Sequence, residues 1–218
     1  QILGDVLDLG VPSDATVTAA KLNNDIISGS TELATAPADT DEFLVSDAGT
    51  LKRIDYSLIK GGGITEADMF RLTANTSGGT NAVISANLER VDDASFSKIG
   101  TGMTESSGQF TFPSTGLYHV IANPMIIAAS DGNSYIRIEL STDSGSNFTD
   151  TLGFVNCSTE SSSHVVASVY QSSFLNVTNA STFRIHFKTS SMASGSYVLG
   201  DTDANYTSFK FIRLGDSQ

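Results

Sequence analysis

The chain has one cysteine, no tryptophan and four prolines in 218 residues. Cys157, alone, cannot close an intrachain disulfide, so packing or assembly must hold the fold. It is expected to pack as a small hydrophobe. Without tryptophan the commonest sugar-stacking platform is missing, which leaves Tyr135, Tyr170, Tyr197 and Tyr206 as aromatic options. Charge is scarce as well, at 17% of residues, and basic charge most of all. Twelve Lys and Arg stand against 24 Asp and Glu, a formal charge of −12. Such a surface repels phosphate backbones, so nucleic acid is excluded as a partner. The longest near-apolar stretch, 118–129, is broken by His119, Asn123 and Pro124. It falls well short of the roughly 18 residues that span a bilayer, so membrane insertion is not expected.

What is present points to a packed core. Apolar residues make up 39% of the chain, with 12 Phe and 6 Tyr. That is too apolar for a disordered polymer. Ser, Thr, Asn and Gly take the place of charge. The length fits one domain with an appendage. The chain opens Gln1-Ile2-Leu3-Gly4-Asp5, with no basic run before an apolar one, so no signal peptide is expected. Lacking an initiator Met, it is expected to start within a longer protein or after trimming.

Residues 1–63 read as an attachment or shaft segment. Asp14 is placed to cap a short helix over 16–27. The runs Glu42-Phe43-Leu44-Val45-Ser46 and Leu51-Lys52-Arg53-Ile54 flank the turn Asp47-Ala48-Gly49-Thr50 and predict a β-hairpin. One helical turn is expected over 56–59. Gly61-Gly62-Gly63 allows almost any backbone geometry and marks the boundary. The segment is too short and too weakly apolar to bury a core alone, so it needs partners.

Residues 64–218 read as all-β. Strands are expected over 69–74, 82–90, 108–112, 116–122, 135–141, 165–175, 182–188 and 206–214. Ile136, Ile138 and Leu140 alternate with Arg137 and Glu139. Phe183, Ile185 and Phe187 share a face, as do Phe209 and Phe211. This period of two is that of half-buried antiparallel strands. Their number and spacing suggest a jelly-roll sandwich.

The segment Gly108-Gln109-Phe110-Thr111-Phe112-Pro113-Ser114-Thr115-Gly116-Leu117-Tyr118-His119-Val120 resembles the G-x-F-x-x-P-x-x-G-x-Y-x-[FV] signature of the globular head of complement component one, subcomponent q. The stretch Tyr206-Thr207-Ser208-Phe209-Lys210-Phe211-Ile212-Arg213-Leu214 resembles that family's last strand. The resemblance covers about residues 66–215. It implies a jelly roll like that of tumour necrosis factor, and a homotrimer around an aromatic-lined axis. Tyr118, Phe209 and Phe211 are candidates for that axis, with the intrachain core as the competing place for each.

In the first region, Ala38-Asp39-Thr40-Asp41-Glu42-Phe43-Leu44-Val45-Ser46-Asp47-Ala48-Gly49-Thr50-Leu51-Lys52-Arg53-Ile54-Asp55-Tyr56 resembles a segment recurrent in tail-fibre and other virion proteins of tailed, particularly marine, bacteriophages. Thr18-Ala19-Ala20-Lys21-Leu22 and Ser141-Thr142-Asp143-Ser144-Gly145-Ser146-Asn147-Phe148 resemble phrases of the same proteins.

No catalytic set emerges. His119, His164 and His186 form no metal-ligand spacing, and no G-x-S-x-G elbow or phosphate loop occurs. Asp92-Asp93 reads as a strand-end loop. Asp143-Ser144-Gly145-Ser146-Asn147 offers oxygens but lacks the carboxylates of a calcium loop and reads as a hairpin turn. The N-x-[ST] triplets at Asn75, Asn147, Asn156, Asn176, Asn179 and Asn205 fit chance in a chain this rich in these residues. Neither an enzyme activity nor a cofactor is expected.

The expectation is therefore a non-enzymatic phage structural protein: a trimeric tail fibre, tip or knob located on the virion. Residues 1–63 would contact other virion proteins, and the head would adhere to a host-surface glycan or protein. Recognition is expected in loops at 128–134, 156–164 and 190–205, with Asp131, Asn133, Ser161, His164, Tyr197, Asp201, Asp203 and Asn205 as candidates. Two other readings are a capsid or tail decoration protein and a secreted complement-like recognition lectin. Three copies at −12 each carry −36, so surfaces near the axis should be apolar or charge-paired.

Overall fold

The computed structural model describes residues 28–60, 63–77, 79, 81–91, 93–94, 96–129, 132–159 and 165–218. The chain divides into two compact units, Gln1–Gly61 and Gly62–Gln218. The helix expected over 16–27 lies outside the described residues.

In the first unit, β1 (Glu42–Asp47) and β2 (Thr50–Asp55) form an antiparallel hairpin. Ala48 and Gly49 both take positive φ, 49° and 86°. That pair suits a two-residue turn whose twist matches the strands. A helical turn, Tyr56–Ile59, follows, and the Tyr56 N–H donates to the Asp41 carbonyl at 2.7 Å. No residue of the hairpin is buried. Leu44, Leu51 and Leu58 are 75%, 69% and 74% exposed. A lone two-stranded hairpin is marginal in water.

The second unit is a sandwich of two five-stranded sheets with a smaller four-stranded extension. The first sheet comprises β3 (Ala67–Leu72), β5 (Leu88–Arg90), β8 (Gly116–Asn123), β13 (Gln171–Val177) and β16 (Ser208–Gly215), in the order β13-β8-β16-β3-β5. The second comprises β6 (Thr104–Ser106), β7 (Gln109–Thr111), β10 (Gly132–Ser141), β11 (Asp150–Thr159) and β14 (Arg184–Ser190), in the order β11-β10-β14-β7-β6. Neighbours are antiparallel and mostly not consecutive in sequence, as a jelly roll requires. The extension contains β4 (Thr76–Ser77), β9 (Met125–Ala128), β12 (Val165–Ser168) and β15 (Tyr197–Val198).

Inward positions of both sheets meet in one aromatic core. Phe110, fully buried, packs its ring 5.0 Å from Phe70, 5.6 Å from Phe187 and 5.0 Å from Phe211. Phe187 stacks on Phe209 at 3.9 Å, joining the centres of the two sheets. Rings this large dominate the burial energy of a core. The motif around Pro113 works locally. The Tyr118 hydroxyl donates to the Ser114 carbonyl at 3.0 Å, pinning the corner. Gly116 sits at φ 154°, where a Cβ would lie 2.7 Å from the Gly215 carbonyl oxygen.

Three expectations differ from the structure. Only Leu88–Arg90 of the 82–90 run is a paired strand. Asn87 adopts φ 60°, in the left-handed region asparagine tolerates, and breaks the run just before Leu88. The 165–175 run is two strands in different sheets. Pro124 separates β8 from β9, and its carbonyl takes the Val169 N–H at 3.0 Å, so the partner chain breaks opposite the proline. Finally, the short strands β4, β6, β9 and β15 and the ten-residue β11 were not anticipated. The last of these alternates buried Val155 and Cys157 with exposed Phe154, Asn156 and Ser158, but its Thr, Asn and Ser content masks the pattern.

Candidate functional site

The first sheet turns one face to the core and the other to solvent. Register puts Phe174, His119 and Ile212 side by side across β13, β8 and β16 on the solvent side. Phe174 is 66% exposed and lies 4.9 Å from the His119 ring. Ile121 and Lys210 occupy the next row. Outward positions of these three strands carry no carboxylate, in a chain of charge −12. The charges that do occur on this face are neutralised or bonded. Lys210 donates to the Asn123 amide oxygen at 3.0 Å, and Arg71 pairs with Glu89 at 2.9 Å. A cavity of about 200 Å³, lined by Ala67, Asp68, Met69, Phe96, Lys210 and Ile212, opens beside them.

Tyr118, Phe209 and Phe211 lie elsewhere. They are 1%, 0% and 1% exposed within the single chain, on the inward face. Of the two places considered for them, the intrachain core is the one they occupy. The outward neighbours at alternate positions, His119, Lys210 and Ile212, form the accessible surface instead.

The candidate recognition residues are scattered. Asp131, Ser161 and His164 lie outside the described residues. Asn133 and Tyr197 sit in strands β10 and β15, not in loops. Asp201, Asp203 and Asn205 share the loop before β16. There the Asp201 carboxylate accepts the N–H groups of Asp203 and Ala204 at 2.7 and 3.0 Å. That is an Asx turn, which consumes the carboxylate in shaping its own loop. Asp203 and Asn205 are exposed.

The solvent face of the second sheet is chemically richer, and the sequence reading did not single it out. Along β10 it presents Asn133, Tyr135, Arg137 and Glu139. Opposite them on β11 stand Asn156 and Phe154, and on β14 Lys188 and His186. Tyr135 and Phe154 make an edge-on pair with centroids 5.9 Å apart. The Asn156 amide donates to the Asn133 oxygen at 3.2 Å. Glu139, 6% exposed, bonds the His186 Nε2 at 2.8 Å. Burial pushes the His186 pKa below its ordinary value, although Glu139 pulls it the other way. Phe148, from the β10–β11 loop, stacks over the imidazole and closes this end of the face. The alternation of Arg137 and Glu139 on β10 was a usable signal. β11, which supplies Phe154, was the missing strand.

The arrangement offers little for covalent chemistry. Cys157 is buried, and burial pushes its thiol pKa up, away from a nucleophilic thiolate. Asp68, 3% exposed, is committed to Arg90 and to the Met103 N–H. A cavity of about 480 Å³ beside Arg90, Lys98 and Glu105 therefore presents a guanidinium already engaged. Among the described residues no group of three His, Cys, Asp or Glu side chains could hold a metal ion. No helix of the described residues is long and apolar enough to cross a membrane.

No family model matches the chain, and no curated protein matches it. Solved structures do. Eiger TNF from S. frugiperda superposes with a TM-score of 0.55 at 15% identity, over 72% of this chain and 96% of that one. Murine APRIL gives 0.49 at 13% identity, over 68% of this chain and 98% of that one. The PRD1 vertex protein P5 gives 0.38 at 18%, over 71% of this chain and all of that one. At these identities the likeness is one of fold: the second unit is an all-β, TNF-like jelly roll.

Proposed function

We propose that the chain is a non-enzymatic structural protein of a phage particle, a homotrimeric tail fibre or fibre tip whose jelly-roll head adheres to the host surface. The observation that carries the assembly is the solvent face of the first sheet. Phe174 and Ile212 lie there without a carboxylate among the outward positions of β13, β8 and β16. Copies of a −12 chain can associate through such a face without facing acid against acid. The hairpin of the first unit, none of whose residues is buried, supports a second contact, because its exposed apolar residues would gain from covering. The likeness of residues 38–56 to tail-fibre segments directs that contact to other virion proteins. Trimerisation would also raise the effective concentration of weak adhesive contacts.

The test is location and adhesion together. Gold-labelled antibody against the head should mark the tail or its fibres on intact particles, and purified chain should coat host cells. Label spread over the capsid lattice would overturn the fibre reading in favour of a decoration protein.

A further inference from the structure

Arg137 and Lys188 are neighbours in the β-sheet register, and Phe154 lies directly opposite Arg137 on the other side. The three side chains thus form one row across β11, β10 and β14. Strands lie about 4.8 Å apart, so the backbone positions of Arg137 and Lys188 are one and two spacings from that of Phe154. Both cations share Glu139, at 3.8 Å for Arg137 and 3.6 Å for Lys188, and neither donates a hydrogen bond to the described residues. Their surroundings make this unusual. The other described Lys and Arg side chains are each committed at short range: Lys52, Arg53, Lys60, Arg71, Arg90 and Arg213 to a carboxylate, and Lys98, Arg184 and Lys210 to carbonyl or amide oxygens. With His186 neutral, two cations and one carboxylate leave a local charge of +1 on a chain of −12.

Beside that charge stands a stacking surface. Phe154 is 59% exposed and is braced edge-on by Tyr135. The next row adds the Asn156 amide beside Tyr135, bonded to the amide of Asn133 one row further along, with donor and acceptor capacity to spare. An apolar ring, two bonded amides and two cations without hydrogen-bond acceptors among the described residues share one sheet face, and together they are complementary to a sugar acid. A pyranose has an apolar C–H face, hydroxyls at its rim and, when oxidised, a planar carboxylate at its edge. Arginine recognises carboxylates bidentately.

We propose that the solvent face of β10, β11 and β14 binds a carboxylated sugar, with the ring on Phe154, the carboxylate on Arg137 and Lys188, and the hydroxyls on Asn133 and Asn156. This deepens the adhesion reading by naming its ligand class. It also moves the binding surface from the loops to a sheet face.

The experiment titrates the full chain with oligogalacturonate and, in parallel, with its methyl ester, which keeps the ring and loses the charge. Calorimetry and amide chemical-shift changes on β10 and β11 are the readouts. The acid form should bind at least tenfold more tightly than the ester. R137Q/K188Q should erase that difference, and F154A should weaken both ligands. All three side chains reach solvent, so unchanged melting of the variants checks the fold. Equal binding of acid and ester, no binding of either, or wild-type affinity in R137Q/K188Q would overturn the proposal. Host-cell binding by the same variants separates the two readings. Cells bound equally by wild type and R137Q/K188Q would leave adhesion standing and remove this site. Uronate binding without cell binding would do the reverse.

Discussion

Phe148 lies flat on His186, ring centroids 3.6 Å apart and planes 14° from parallel, while Glu139 holds the Nε2 from within the sheet at 2.8 Å. The imidazole is thereby sealed between a ring and a carboxylate, and burial outweighs the carboxylate in setting its proton affinity. The folded pKa lies below the ordinary 6.5, so the unfolded chain takes up the proton first. The stability this group contributes is intact above pH 6.5 and is lost as pH falls through the folded pKa. The melting temperature should drop on acidification below pH 6.5. H186Q should melt with a shallower dependence over that window. Parallel curves for the two proteins would refute this assignment.

Asp143 makes a second, purely local acid-sensitive site. Its carboxylate accepts the Ser141 hydroxyl at 2.6 Å, the Asn147 N–H at 2.9 Å and the Asn147 amide at 2.7 Å. These bonds hold the pKa down to about 2 from 3.8. Its contribution is present above pH 3.8 and disappears as pH falls toward 2. Carboxyl titration by NMR should report this low value. D143A should accelerate hydrogen exchange at the Asn147 amide with little change in global melting, because the site is solvent-exposed.

Tyr118→Phe isolates the corner after Pro113. It keeps the buried ring and removes a hydroxyl that donates to the Ser114 carbonyl and contacts the Ser114 hydroxyl at 3.1 Å. The loss should be about 1 kcal/mol in denaturant unfolding, typical of one hydrogen bond. The oligomeric state should not change, because Tyr118 points into its own chain. A shift in mass with this variant would return Tyr118 to an intersubunit role.

The fold was largely readable from residues. Alternation in Ile136, Ile138 and Leu140, and the Phe110–Phe112–Gly116–Tyr118 corner, carry enough information to place inward faces. All of these apolar residues are buried. The hairpin was legible because a Gly-containing turn, Asp47-Ala48-Gly49-Thr50, separates two apolar-bearing runs, and Gly49 takes the positive φ that glycine permits. The site was less legible, for two reasons. Recognition residues were sought in loops, whereas Asn133 and Tyr197 are in strands. And β11 writes its outward face in Thr, Asn and Ser, so Phe154 was not seen to stand beside Arg137 until register placed it there. The aromatic axis candidates show the same limit. Period two says which residues share a face, and only packing says which face is inside.

The account rests most heavily on association through the first sheet, and light scattering of the purified full chain tests that directly. It predicts a mass three times 22.9 kDa at neutral pH. Phe174→Asp should collapse that mass to one chain with melting retained, since the ring is 66% exposed in the single chain. A wild-type mass of one chain, or an unshifted trimer in the Phe174→Asp variant, would contradict it.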